Sequence, residues 1–334
     1  MTEISFCVPV YNNADVAEKV ANALLESQSD SIQVVFSDAG STDDTRSRLE
    51  KIDDKRLKVV GFDELVDCRK NWLNALENGD GDWLYLVMGR DRMDMAFLDR
   101  LLAILSRAQE EGLLVVKDKQ VGQMETGKAI LYDRLASYME LLIYDHPTGL
   151  IVSREALKTA KSKAEFFNTD YIYPENYLIQ ELVQITGKSM KFCSGVNSGQ
   201  IFIDRGKELS KAVKIGEEES LFWFPKKRTD HTIRVIKMVE NDENLSLADM
   251  GNIFLQKLDW MHLAVHMWKD WITYGADFAK HYGVKQRYIS PEEEAGKVAE
   301  AFSDILNEFS TREWCTPDVI ERAKNMTMQH MLRK

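Results

Sequence analysis

The side chains able to bind or transform a ligand gather in short polar segments, each directly after an apolar run. Pro9-Val10-Tyr11-Asn12-Asn13 follows Ile4, Phe6, Cys7 and Val8. Ser37-Asp38-Ala39-Gly40-Ser41-Thr42-Asp43 follows Ile32–Phe36, and Gly89-Arg90-Asp91-Arg92-Met93-Asp94 follows Trp83–Met88. The carboxylates in these segments can accept hydrogen bonds or hold a cation, and the guanidiniums of Arg90 and Arg92 can pair with phosphate oxygens bidentately. A polar loop after a buried strand is also where open α/β sheets bind ligands.

The elements that must position these groups are legible as changes of period. Ile4–Val10 and Ile32–Phe36 are short apolar runs, the pattern of strands buried on both faces. Between them Val16, Val20, Ala23, Leu24 and Leu25 recur at helical spacing. Ser41, Thr42 or Asp43 can cap the next helix. Leu57–Gly61 reads as a third strand, Val66–Leu76 as a helix, Trp83–Met88 as a central strand and Phe97–Ala108 as a helix, so an α/β rhythm runs to about residue 118. Beyond it, Ala129–Ile143 reads as helix, Leu150–Val152 as strand, Arg154–Lys161 as helix and Tyr173-Pro174-Glu175-Asn176 as a helix start. Met190–Cys193 and Gln200–Ile203 read as short strands. From about residue 216 the pattern is helical. Ser246 caps a helix whose Phe254, Leu258, Met261, Val265, Trp268 and Ile272 make one face. Ser290-Pro291 and Thr316-Pro317 open two more.

Two of the strand-end segments together resemble the opening of a family 2 glycosyltransferase, an inverting enzyme with the GT-A nucleotide-sugar fold. Pro9-Val10-Tyr11-Asn12 is similar to the Pro-Val-Tyr-Asn sequence that ends the family's first strand. Asp38-Ala39-Gly40-Ser41-Thr42-Asp43 is similar to its Asp-(Asp/Asn)-Gly-Ser-Thr-Asp. The resemblance implies a Rossmann-like, mostly parallel central sheet flanked by helices over residues 1–225; it does not extend further, and the helical pattern makes residues 226–334 an α-helical C-terminal domain. It implies transfer from an NDP-sugar donor, UDP-linked for preference, to a saccharide or lipid-linked acceptor in surface polysaccharide synthesis. It places Pro9, Tyr11, Asn12, Asp38, Lys70, Arg90 and Asp91 at the nucleotide sugar, with Tyr11 against the base and Asp38 accepting from a uracil-type N–H. His146 and Thr148 fall in a loop on the acceptor side.

The chain departs from the family twice. Relatives end the central strand with Asp-x-Asp-Asp, and the matching window here is Met88-Gly89-Arg90-Asp91. Either Asp91 holds Mg²⁺ or Mn²⁺, with His231 as a further metal ligand, or Arg90 or Arg92 stands in for the cation. The family's Glu-Asp base pair is Glu175-Asn176 here, and Asn176 cannot take a proton, so Glu175 or Asp170 is left as base. These losses also leave open a degenerate module that binds nucleotide sugar or glycan without catalysis. A nucleotidyltransferase shares the layout, but it would show a Gly-rich basic loop after the first strand, and Pro9–Asn13 shows none.

Composition narrows the partners. The 334 residues are 44% hydrophobic and 29% charged, with a formal net charge of −11. That balance disfavours nonspecific nucleic-acid binding. Cys7, Cys68, Cys193 and Cys315 lie far apart, which suits reduced thiols. The first ten residues show no secretory pattern, and no apolar run approaches the ~20 residues that span a bilayer. A cytoplasmic protein is expected. Peripheral membrane contact and homo-oligomerisation through the C-terminal helices stay open.

Overall fold

The computed structural model describes residues 3–142, 146–167, 175–202, 216–221, 224–276, 279–280 and 283–332. They form two compact units, Met1–Ile203 and Asp204–Lys334.

The first unit is built on an eight-stranded sheet. Its strands are β1 (Ile4–Val10), β2 (Ile32–Asp38), β3 (Leu57–Gly61), β4 (Trp83–Leu86), β6 (Val115–Asp118), β7 (Ala129–Asp133), β8 (Leu150–Ser153) and β9 (Lys188–Phe192), in the order β3-β2-β1-β4-β8-β6-β9-β7. β3, β2, β1 and β4 pair in parallel, β8 runs against β4 and β6, β9 is parallel to β6, and β7 closes the edge antiparallel to β9. Two short strands, β5 (Asp91–Met93) and β10 (Asn197–Ile201), make a separate ribbon.

Helices cover this sheet. Ile4, Phe6, Val8 and Val10 of β1 pack in one core with Val20 and Leu24 of α1 (Ala14–Leu25) and Leu101 and Leu105 of α4 (Leu98–Glu110). The alternate residues Cys7, Val35, Leu84 and Leu86 are equally buried but lie outside that core. The period of two turns them to the other face. There α3 (Cys68–Glu77) packs on β1, β2 and β4. Three shorter helices are α2 (Thr45–Leu49), α5 (Arg134–Leu141) and α6 (Arg154–Thr159), followed by α7 (Lys163–Phe167) and α8 (Glu175–Thr186).

The chain lays down β1, moves outward to β2 and β3, then returns to place β4 on the other side of β1. The β1–β4 boundary is therefore a topological switch point, where neighbouring loops diverge and leave a crevice at the strands' carboxyl ends. Pro9–Asn13 and Met88–Asp91 border it.

One expected helix is corrected. Ala129–Ile143 splits into strand β7 and helix α5, with Asp133 as the joint: its carboxylate accepts from the Ala136 N–H at 2.9 Å and caps α5. Pairing with β9 overrides the helical reading of Ala129–Tyr132.

Among the described residues the second unit is helical: α9 (Pro225–Val239), α10 (Leu247–Tyr274), α11 (Pro291–Phe309) and α12 (Pro317–Met331). The expected caps are in place. Ser246 and Asp249 form a capping box, Ser290 accepts from the Glu293 N–H, and Thr316 accepts from the Val319 N–H. Phe254, Leu258, Met261, Val265, Trp268 and Ile272 are all buried. No described helix is long and apolar enough to cross a membrane.

Candidate functional site

Residues around the switch point are bolted together by short polar side chains. Asn12 sits in the left-handed region at φ +46°, which Asn tolerates better than most residues. Its side-chain oxygen accepts from the Thr42 N–H at 2.8 Å, and its own N–H donates to the Ser41 hydroxyl at 2.9 Å. Asn13 donates its backbone N–H to Thr45 Oγ1 at 2.8 Å and its side-chain amide to the Gly89 carbonyl at 3.0 Å. The two strand-end turns and the end of β4 are thus one hydrogen-bonded surface. Gly89 permits the approach: a Cβ there would lie 2.7 Å from the Pro9 carbonyl oxygen. Asn71 fastens the start of α3 from below, donating to the Val10 carbonyl at 3.2 Å and accepting from the Ser37 hydroxyl at 2.7 Å.

On this surface Tyr11 is 42% exposed and free to lie against a ring, whereas Asp38 is 1% exposed. The Asp38 carboxylate accepts from the Ser41 N–H at 3.1 Å and from the Ser41 hydroxyl. That is a turn-forming role. A carboxylate offers about four acceptor sites, so the turn does not exhaust it. Lys70 is exposed in the first turn of α3, its ammonium 4.9 Å from the centre of the Phe62 ring. The Asp67 side chain caps that helix by accepting from the Arg69 and Lys70 N–H groups.

A second cluster lies beyond β4. Asp91 is 3% exposed. The Thr148 hydroxyl donates to Asp91 Oδ2 and accepts from the Met88 N–H at 2.8 Å. His146 Nδ1 stands 3.5 Å from the same carboxylate oxygen. Lys117, at the end of β6, donates to the carbonyls of His146 and Thr148. Gly149 follows at φ +93°, and a Cβ there would fall 1.9 Å from the Asp118 carbonyl oxygen, so no other residue fits. Lys117 also lines a cavity with Glu140, Glu175 and Asn176. Glu175 and Asn176 open α8 and are 6% and 2% exposed. Asp91, His146, Thr148 and Lys117 are in this way brought into one chain of contacts, and Glu175 shares a cavity with Lys117. Arg90 is exposed, and Arg92 donates to Gln200 at 3.3 Å across the β5–β10 ribbon. Asp170 lies outside the described residues.

Among the described residues no three His, Cys, Asp or Glu side chains converge on one point. Asp91 with His146 beside it does fit the sparser mode in which Mg²⁺ takes one or two carboxylates and completes its shell with substrate phosphates and water. His231 does not fit. It is buried in α9, and its pKa is pushed down to about 3, first by burial and then by Arg228, Lys257 and Arg234. A cation there would meet positive charge.

Residues 5–158 match the family model described as glycosyl transferase family 2. Most of the sheet unit therefore matches glycosyl transferase family 2. No curated protein sequence matches the chain. Its fold is similar to Staphylococcus aureus TarS residues 1–349, with a TM-score of 0.61 at 15% identity over 99% of this chain and 89% of that one. The same TarS segment solved with UDP-GlcNAc aligns at 0.61 and 16% identity. The mannosyltransferase PcManGT from Pyrobaculum calidifontis, solved with GDP-Man and Mn²⁺, aligns at 0.52 and 14% identity over 99% and 87% of the two chains. At such identities the likeness establishes the GT-A fold.

Several residues that build this site carry no motif. Asp118 is fully buried at the end of β6, accepting from the Ser194 N–H at 2.8 Å, the Ser194 hydroxyl at 2.6 Å and the Tyr85 hydroxyl at 2.9 Å. Burial pushes its carboxyl up to about 6 from 3.8, against those hydrogen bonds. Asn13 and Lys117 give the same lesson, since their partners are 76 and 29 to 31 residues away.

Proposed function

We propose that this chain is an inverting glycosyltransferase that moves a sugar from an NDP-sugar, UDP-linked for preference, to a saccharide or lipid-linked acceptor in surface-glycan assembly. The observation that carries this is the switch-point crevice of a family 2 sheet, bordered by Pro9–Asn13, Asp38–Asp43 and Met88–Asp91. TarS was solved with UDP-GlcNAc and PcManGT with GDP-Man, so this fold holds nucleotide sugars in those proteins.

Inverting transfer is one in-line displacement. The acceptor oxygen bonds to the anomeric carbon as the bond from that carbon to the diphosphate oxygen breaks, and the hydroxyl proton passes to a base. Glu175 is the base in this reading, held in the first turn of α8 beside the cavity it shares with Lys117. Tyr11 packs on the nucleobase and Asp38 accepts from its N–H. Lys70 and Arg90 meet the phosphates. Asp91, with His146 at its side, would hold Mg²⁺ or Mn²⁺ on the same phosphates, where the cation would neutralise the leaving diphosphate. The exposed guanidiniums of Arg90 and Arg92 offer the alternative neutralisation by bidentate pairing.

The test begins with thermal shifts against UDP-, GDP-, CMP- and TDP-sugars with and without Mn²⁺, since binding to the native state raises stability. The matching donor is then assayed for hydrolysis and transfer. Loss of a general base costs roughly 10²- to 10⁴-fold in rate. Glu175→Gln is expected to fall in that range in kcat with KM for donor little changed, and wild-type kcat in that variant would remove Glu175 from the role. Full activity in excess EDTA would select the guanidinium arrangement over the metal.

One other reading has its own support. Arg90 and Asn176 stand where relatives carry acids, which suits a module that binds nucleotide sugar without turning it over. Donor hydrolysis abolished by Glu175→Gln would exclude that module. A donor that shifts the melting temperature but is never consumed would establish it.

A further inference from the structure

We propose that the helical unit contains a transition-metal site of the zinc class, formed by His262, His266 and His330. His262 and His266 lie one turn apart on α10, and His330 sits in the last turn of α12. His266 Nε2 and His330 Nδ1 face each other at 3.0 Å. Tetrahedral zinc with Zn–N bonds of about 2.0 to 2.1 Å holds two nitrogens about 3.3 Å apart. The pair therefore needs to open by only a few tenths of an ångström to admit an ion in place of the shared proton.

The remaining ring nitrogens are arranged as metal-bound imidazoles usually are. His266 Nδ1 is 2.6 Å from Glu294 Oε1, and His330 Nε2 is 2.8 Å from Asp259 Oδ1. A carboxylate on the far nitrogen fixes the tautomer and turns the other lone pair toward the ion. The third donor is His262. It is 0% exposed, and neither of its ring nitrogens has a hydrogen-bond partner. Its ring centre lies 4.9 Å from that of His330. A buried polar group is ordinarily satisfied, so an imidazole left bare against two others calls for a partner of its own.

Among the described residues these side chains do not yet converge as a finished cage. What stands here is a two-nitrogen clamp with a third imidazole beside it. Closure requires the His262 ring to turn about χ2, a torsion that is broad for histidine. The charged groups around the clamp favour a cation. Glu294 and Asp259 bring two carboxyl groups, and Lys269, 3.1 Å from Glu294, brings one ammonium. Imidazole donors select zinc, copper or nickel over Mg²⁺ and Mn²⁺, so this site differs in chemistry from the phosphate-borne cation of the sheet unit.

The test uses the full chain, stripped with chelator, dialysed, given one equivalent of ZnCl₂ and desalted. The expected result is one zinc retained per chain and a melting temperature raised by several degrees. Co²⁺ in place of zinc is expected to give the intense visible bands of a tetrahedral nitrogen site. His262→Phe and His330→Phe should each lose retention. Glu294→Gln, which keeps the packing, should weaken zinc affinity about 10-fold and serves as the deciding variant if either Phe replacement fails to fold. No retained zinc, or retention unchanged in Glu294→Gln and in whichever histidine variants fold, would overturn the proposal and leave a hydrogen-bonded histidine pair only.

Discussion

Burial pushes the Asp118 carboxyl up to about 6 from 3.8, so folding favours its protonated form. For a raised folded-state pKa, the stabilisation is complete below the unfolded value and is lost as pH climbs through the folded one. The shift of about 2 units at a fully buried group corresponds to roughly 3 kcal/mol at most. Asp118→Asn keeps an acceptor for the Ser194 N–H and removes the titration. Its melting temperature should therefore gain on wild type between about pH 4 and about pH 6, and an unchanged difference across that range would show that Asp118 does not contribute this stability. Such a residue is invisible in sequence. Val115-Val116-Lys117-Asp118 reads as a strand end, and nothing in it announces Tyr85 or Ser194. Asp38 was legible for the opposite reason: its partner Ser41 is three residues away, so the turn is written locally.

Elements carry the next level of the argument. β1 and β2 were readable because strands buried on both faces become largely apolar runs. β7 was not, since Ala129-Ile130-Leu131-Tyr132 also suits a helix and only pairing with β9 decides between the two. The segment just before β8, residues 146–149, was opaque as well, although His146 and Thr148 stood out as polar residues. Its position depends on Gly149, whose N–H donates to the Leu86 carbonyl at 3.1 Å and whose carbonyl accepts from the Asp118 N–H at 2.7 Å. Gly149→Ala combines a left-handed penalty of about 1–2 kcal/mol with a methyl placed 1.9 Å from a carbonyl oxygen. Denaturant unfolding should show a loss above about 2 kcal/mol. Because Thr148 is the neighbour that donates to Asp91, donor turnover should fall in any fraction that still folds. A variant of wild-type stability would mean that this loop does not hold the ends of β4 and β6 together.

At the scale of the whole molecule the two units ask for different ligands. The sheet unit ends its central strands in hydroxyls, amides, the buried acids Asp38, Asp91 and Asp118 and exposed guanidiniums, which suits an anionic nucleotide sugar. The helical unit carries a polar stripe, half-buried Asp259 and Lys269 with buried His262 and His266, beside the apolar stripe that makes α10 legible as a helix. The apolar period was read and the polar one missed, because a buried histidine is informative only once its neighbours from α11 and α12 are known. Hydrogen exchange on the full chain separates the two assignments. A UDP-sugar should slow exchange at the amides of residues 10–13, 38–43 and 88–91, where backbone N–H groups already border the crevice. Zinc should slow the last turn of α12, around His330, whose terminal hydrogen bonds fray most readily in a ligand-free helix. Protection by UDP-sugar that missed Asn12 and Asp38 would move the donor site off the switch point. Protection of the α12 end by Mn²⁺ as strong as by zinc would argue against imidazole ligands there, because carboxylates, not histidines, would then be choosing the ion.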